Sequence, residues 1–226
     1  MIRSVLFDTE TTGLDPAQGH RVIEVAALEL ENDLPTGRNF HALLQPDRDI
    51  PDDVIRIHGI TPQKLVGKPR FADIVESLLA FLGDGMLVAH NAPFDFGFLN
   101  AELKLVGRPP LDPARMVDTL VLAKARFPGL PNSLDALCRR FGIDLSERTS
   151  HNALLDCKLL AAVYVELTGG RQRGLSLAAE EQASLPGVAY AVNPSRTQRR
   201  IVPSAEELAA HRAFVGRLKD PVWRLD

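Results

Sequence analysis

The chain has 226 residues, 45% hydrophobic and 24% charged, with a net charge of −3, which suits one good-sized domain with an appendage or two small domains of ordinary globular composition. Residues 1–168 carry 17 Lys and Arg against 23 Asp and Glu, and residues 169–226 carry 9 against 6, so an acidic body precedes a basic tail and broad, sequence-blind duplex binding is disfavoured. No apolar run approaches the roughly 20 residues of a membrane span and no secretory signal follows Met1, and Cys138 and Cys157 lack metal-like spacing, so a cytoplasmic protein with reduced core thiols and no membrane contact is expected.

The first predicted element is an apolar strand, Val5-Leu6-Phe7, opening onto Asp8-Thr9-Glu10-Thr11-Thr12-Gly13-Leu14. Strand side chains alternate, so Asp8 and Glu10 share a face. Like charges about 4 Å apart repel by roughly 4 kcal/mol at an effective dielectric near 20, so the pair needs a cation or a proton between them. It is either half of a metal site or a strand end running into a polar turn with Glu10 solvated. Val22 to Leu30 and Phe40 to Leu44 predict two more strands joined by a turn at Asp33 to Gly37, and such short connections favour an antiparallel meander. Pro51 to Thr61 reads as a loop or short helix. Phe71, Ile74, Val75, Leu78, Leu79 and Leu82 fall on one helical face, stopped by Gly83. Met86 to Ala89 is a short buried strand. Asn91 then caps a helix with Pro93 in its first turn, running on through Phe98, Leu99 and Leu103. Asp95 thereby stands at the carboxyl end of a strand, where open α/β sheets place ligands; the alternative is an acid complementing the helix dipole.

Arg115 to Val121 predicts a short strand entering a helix, and Ser133 caps the next helix, Leu134 to Phe141. The segment Arg148 to Asp156 leads into a helix ending near Thr168, ahead of Gly169-Gly170. His151 and Asp156 would be offset by about 140° on a helix, so His151 is placed in the loop or first turn before it. Asp156 lies among Leu154, Leu155, Leu159 and Leu160, and an acid in such company is usually paired or metal-bound. Periodicity fails from Gly169 to Arg200, which reads as a linker. Ser204-Ala205-Glu206-Glu207 resembles a capping box opening a helix through Leu208, His211, Val215 and Leu218. A short helix followed by the lone Trp223 suits docking on another protein, or a tail folded back on the body.

Three motifs in this order, Phe7-Asp8-Thr9-Glu10-Thr11-Thr12-Gly13, His90-Asn91-Ala92-Pro93-Phe94-Asp95, and His151 five positions before Asp156, resemble the DEDDh 3′–5′ exonuclease family. A sister subclass carries Tyr where this chain has Ala153, which favours the histidine type. The likeness extends to family members that proofread as subunits of replicative polymerases, through Phe127-Pro128-Gly129, Asn132 to Cys138 and the tail from Ile201 to Trp223-Arg224. It implies a ribonuclease-H-like α/β fold, a five-stranded mixed sheet flanked by helices, with three antiparallel strands and two more parallel to the first. An exonuclease domain over 1–170, a flexible linker over 171–200 and a polymerase-binding tail over 201–226 are expected.

The resemblance further implies two divalent cations, Mg²⁺ or Mn²⁺. Asp8 would bridge both, Glu10 and Asp156 would complete one site, Asp95 would support the other, and His151 would be the general base. Thr9, Thr12, Gly13 and Leu14 are assigned to the terminal nucleotide largely through backbone, together with Asp8, Glu10, Asn91 and Asp156. His58 is assigned to its base or sugar and Asp53 to its 3′ hydroxyl. In the tail, Leu208, Val215 and Trp223 would contact the polymerase's catalytic subunit. In the linker, Gln172, Leu175 and Leu177 resemble a sliding-clamp peptide, although such peptides usually end in an aromatic residue where Leu177 stands. The implied activity is release of deoxynucleoside 5′-monophosphates from single-stranded or mispaired DNA 3′ ends. The alternatives are a free-standing exonuclease on RNA or DNA ends and a mainly structural link between polymerase and clamp.

Overall fold

The structure is a computed structural model that describes residues 2–146, 148, 151–169 and 202–219. The stretch expected to be a linker, 171–200, with Gln172, Leu175 and Leu177, and Trp223, expected to anchor the tail, lie outside the described residues.

The sheet is built on β1 (Arg3–Thr11), with β2 (Val22–Glu31) and β3 (Leu34–Leu43) on one side and β4 (Met86–Ala89) and β5 (Met116–Asp118) on the other, in the order β3-β2-β1-β4-β5. β1 and β2 pair antiparallel, as do β2 and β3, whereas β4 runs parallel to β1 and β5 parallel to β4. This is the mixed five-stranded sheet expected. One boundary differs. The predicted turn at Asp33 to Gly37 is a two-residue hairpin at Asn32-Asp33, both at positive φ, and β3 already begins at Leu34. Pro35 and Gly37 lie inside β3 because it is a mostly exposed edge strand, where a proline's missing N–H leaves no ladder partner unmet.

Helices cover both faces. Between β3 and β4 come α1 (Asp52–His58), α2 (Pro62–Leu65) and α3 (Phe71–Leu82); α4 (Ala92–Leu105) follows β4. After β5 come α5 (Thr119–Arg126), α6 (Leu134–Phe141) and α7 (Ala153–Leu167). Odd residues of β1, Val5 and Phe7, bury against α3 and α4 through Leu78, Phe98 and Leu99. The even residue Leu6 buries on the opposite face with Leu137, Cys157 and Leu160 of α6 and α7. The period of two that fills both cores also carries Asp8 and Glu10 toward the α7 side at the strand's carboxyl end. Both cysteines are buried thiols in this second core.

Two helix starts refine the sequence reading. Asn91 precedes α4 in a left-handed conformation and makes no side-chain cap; instead its amide donates to Asp118 at 2.9 Å, tying the end of β4 to the end of β5. Asn152 does cap α7, accepting from the Leu155 amide at 3.0 Å. In the second unit, α8 (Ala205–Val215) opens on the expected capping box of Ser204 and Glu207, with Leu208 exposed and Val215 buried.

Candidate active site

Four carboxylates from three separated segments meet at the carboxyl ends of β1 and β4. Asp8 and Glu10 end β1, Asp95 lies in the first turn of α4, and Asp156 in the first turn of α7. Asp95 is buried and held by Thr9, whose amide donates at 3.0 Å and hydroxyl at 2.7 Å to Oδ1. Both hydrogen-bond donors of Thr9 are thereby directed to Asp95.

Burial and mutual repulsion leave these acids short of positive charge. Asp8 is pushed well above the ordinary carboxylate range, first by burial and then by Asp95, Glu10 and Asp156. Burial, then Glu24 and Asp156, raise Glu10 to about 8, with Arg148 pulling the other way. Asp95 rises to about 7 through burial, against its bonds from Thr9. Groups in this state need protons or cations. The donor set fits a hard divalent ion, since it offers carboxylate oxygens and no thiolate. Ligand atoms of Glu10, Asp156 and His151 lie within 4.8 Å of one another.

His151 sits in the loop just before α7, half in solvent, with Nδ1 3.5 Å from Asp156 Oδ2. Its amide donates to the Ile57 carbonyl at 3.2 Å, which joins this loop to α1. At the end of α1, His58 is buried; its Nδ1 accepts from the Ile60 amide at 2.9 Å, so the neutral ring carries its proton on Nε2. That Nε2 is a buried donor without a hydrogen-bond partner among the described residues, and burial holds the ring's pKa down. Asp53 is exposed in the first turn of the same helix.

The loop after β1 is braced from within. Thr12 exchanges bonds with Arg21, and the Thr11 hydroxyl donates to the Gly13 carbonyl at 2.6 Å. A Cβ on Gly13 would stand 2.5 Å from the His20 ring, whose Nδ1 accepts from the Asp15 amide. Leu14 projects from this loop at 81% exposure.

Two residues without an assigned role in the sequence reading, Glu24 and Arg148, complete the site. Buried Glu24 faces Glu10 across the β1–β2 ladder and accepts from His41 Nε2 at 2.7 Å, Asn152 Nδ2 at 3.0 Å and the Ala153 amide at 3.3 Å, so it fastens the start of α7 to the sheet. Arg148 forks onto Asp156, Nε to Oδ1 at 2.6 Å and Nη2 to Oδ2 at 2.9 Å, while its Nη1 donates to Asp135 at 2.6 Å. The available signal was a cation three positions before His151, at the start of the segment that leads to Asp156. The cavity, about 600 Å³, is lined by Asp8, Asp156, His151, Arg148, Asp135, His90 and Asn91 among others.

An exonuclease family model, RNase_T, matches residues 5–164. The chain is 46% identical over 222 residues to the DNA polymerase III subunit epsilon of Rickettsia felis, spanning 96% of this chain and 97% of that one. It is 39% identical over 222 residues to the corresponding subunit of Escherichia coli K12, spanning 93% and 91%. Among solved structures, Exonuclease X in complex with 5′ overhanging duplex DNA matches with a TM-score of 0.59 and 27% identity, over 75% of this chain and 92% of that chain.

Proposed function

Because the chain belongs to the exonuclease family matched over residues 5–164, we propose that its acidic cavity removes the 3′-terminal nucleotide of a DNA strand. The chain is a 3′–5′ exonuclease of the proofreading kind. One observation carries the residue assignment: Asp8, Glu10, Asp95 and Asp156 come from three distant segments to a place where they hold one another's charge in check.

Two divalent ions, Mg²⁺ or Mn²⁺, would supply charge stabilisation at the attacking and leaving oxygens of the phosphodiester. Asp8 would be shared between them, with Glu10 and Asp156 on one and Asp95 on the other. The protein's own part is then defined. His151 takes a proton from the attacking water as its oxygen bonds to phosphorus. The bond to the 3′ oxygen of the preceding nucleotide breaks, that oxygen takes up a proton from solvent to become a new 3′ hydroxyl, and a 5′-monophosphate is released. His58 offers its unpartnered Nε2–H to the terminal sugar or base. The loop from Thr12 to Leu14 supports the terminal nucleotide, with Asn91 at the cavity wall, and Asp53 reaches its 3′ hydroxyl. Thr9 serves by holding Asp95. A mispaired end enters more readily because its terminal base unstacks at lower cost.

The same reading gives the chain three parts: the exonuclease domain to residue 170, a linker over 171–200, and a tail from 201 that docks on the catalytic alpha subunit of DNA polymerase III in the cytoplasm. The capping box sets where α8 begins, and exposed Leu208 leads its contact side. Val215 and Trp223 would extend that contact. Gln172, Leu175 and Leu177 would touch the sliding clamp. No helix among the described residues is long and apolar enough to cross a membrane.

The test is digestion of a 5′-labelled single-stranded oligonucleotide in Mg²⁺. A ladder shortening from the 3′ end with 5′-monophosphate products is expected; internal cuts or 3′-phosphate products would overturn the reading.

A further inference from the structure

We infer that Arg148 is the resident counter-cation of the metal-free site and is exchanged for the divalent ion. The inference rests on the metal reading above and assigns Arg148 a positioning role in it. The juxtaposition is direct. Both Asp156 oxygens face the guanidinium fork, at 2.6 and 2.9 Å, and the two side chains are 9% and 5% exposed. Nη2 also lies 3.0 Å from His151 Nδ1, so one cation fixes an acid and the base placed beside it. Its electrostatic influence reaches Asp8 and Glu10, which face the same centre.

A guanidinium is a cation at any working pH and cannot leave by deprotonation. A divalent ion that takes Asp156 as ligand therefore shares the carboxylate with a second positive charge or displaces it. Two cations on one carboxylate repel, and the fork already covers the two lone pairs best placed for a chelated ion. The structure also supplies a place for the displaced group. Asp135 on α6, partly exposed, already accepts from Nη1 at 2.6 Å. Arg148 can swing off Asp156 while this second bond keeps it at the cavity wall. Exchange thus keeps the buried acids paired in both states, and the competing cation raises the metal concentration at which the site fills.

A scaffold role and an exchange role predict opposite signs. If Arg148 only preorganised Asp156 for metal, its loss would weaken metal binding. Exchange predicts that Arg148→Gln binds Mn²⁺ at least about tenfold more tightly than wild type at low ionic strength, with Arg148→Lys between the two. The probe is Mn²⁺ alone, followed by electron paramagnetic resonance on the full chain without DNA. Equal or weaker binding by a folded Arg148→Gln variant overturns the inference. Absence of Mn²⁺ binding by wild type overturns the metal reading and the inference with it, a separate result. Should Arg148→Gln fail to fold, the Arg148 Nε–H resonance of wild type, assigned by its loss in Arg148→Lys, answers the question. Saturating Mg²⁺ is expected to shift it and speed its exchange with water, and an unmoved resonance overturns the proposal.

Discussion

Glu10 and Asp95 are raised to about 8 and about 7, above the values these acids have in an unfolded chain. Between roughly pH 4.5 and 8 the metal-free folded state therefore holds protons that the unfolded state has released, and this contribution to stability declines as pH rises. His58 and His90 are shifted downward by burial and work in the opposite sense, so the carboxylate effect is best isolated by difference. In chelator, the thermal stability of Glu10→Gln relative to wild type should grow as pH rises from about 5 to 8, and saturating Mg²⁺ should erase or reverse that gain. A pH-independent difference would contradict it. A second residue-scale prediction concerns Gly13, whose missing Cβ leaves room for the His20 ring. Gly13→Ala should raise KM for single strands with a smaller effect on kcat, and adding His20→Ala should recover part of the loss, as expected for residues in direct contact. The acids and His151 were legible in the sequence because each chemistry-bearing residue followed a recognisable motif. Glu24 and Arg148 were not, since their partners at positions 41, 135, 152, 153 and 156 are brought near only by the fold.

The start of α7 carries the most function for its length. His151 precedes it, Asn152 caps it, and Asp156 lies in its first turn, while Glu24 of β2 grips both the cap side chain and the Ala153 amide. Asn152→Ala removes the cap and one of Glu24's partners, so a stability loss of about 0.5–2 kcal/mol is expected by chemical denaturation. Activity should fall further than that loss explains, because both His151 and Asp156 shift with the helix end; unchanged kcat would count against this coupling. Helices and strands were largely readable, α3 to its last residue and α6 with its Ser133 cap. The misplaced hairpin before β3 has a physical cause. Pro35 and Gly37 are turn residues by propensity, but an exposed edge strand tolerates both, and the actual turn uses Asn32 and Asp33 at positive φ. Asn91 shows the converse. A residue type suited to capping is used for its left-handed backbone, and its amide joins β4 to β5 through Asp118.

At the scale of the molecule, the residues assigned to catalysis all lie within the first compact unit, residues 1–176, and α8 lies in the second. A chain ending at Gly170 should hydrolyse free single strands at a rate within about threefold of the full chain, yet fail to co-purify with DNA polymerase III alpha subunit, which the full chain should retain. Loss of hydrolysis in the shorter chain would contradict the division of labour proposed for body and tail. The central claim is narrower: the paired acids of β1 hold the ions that make hydrolysis possible. Its most direct measurement is the rate at which wild type, His151→Ala and Asp8→Ala shorten one 5′-labelled single strand in Mg²⁺, with alpha-subunit binding measured in parallel. The account predicts a loss of at least about 10³-fold for Asp8→Ala and a smaller loss for His151→Ala, given general-base contributions of about 10² to 10⁴, with binding unchanged in both. Asp8→Ala hydrolysing at close to the wild-type rate would contradict it.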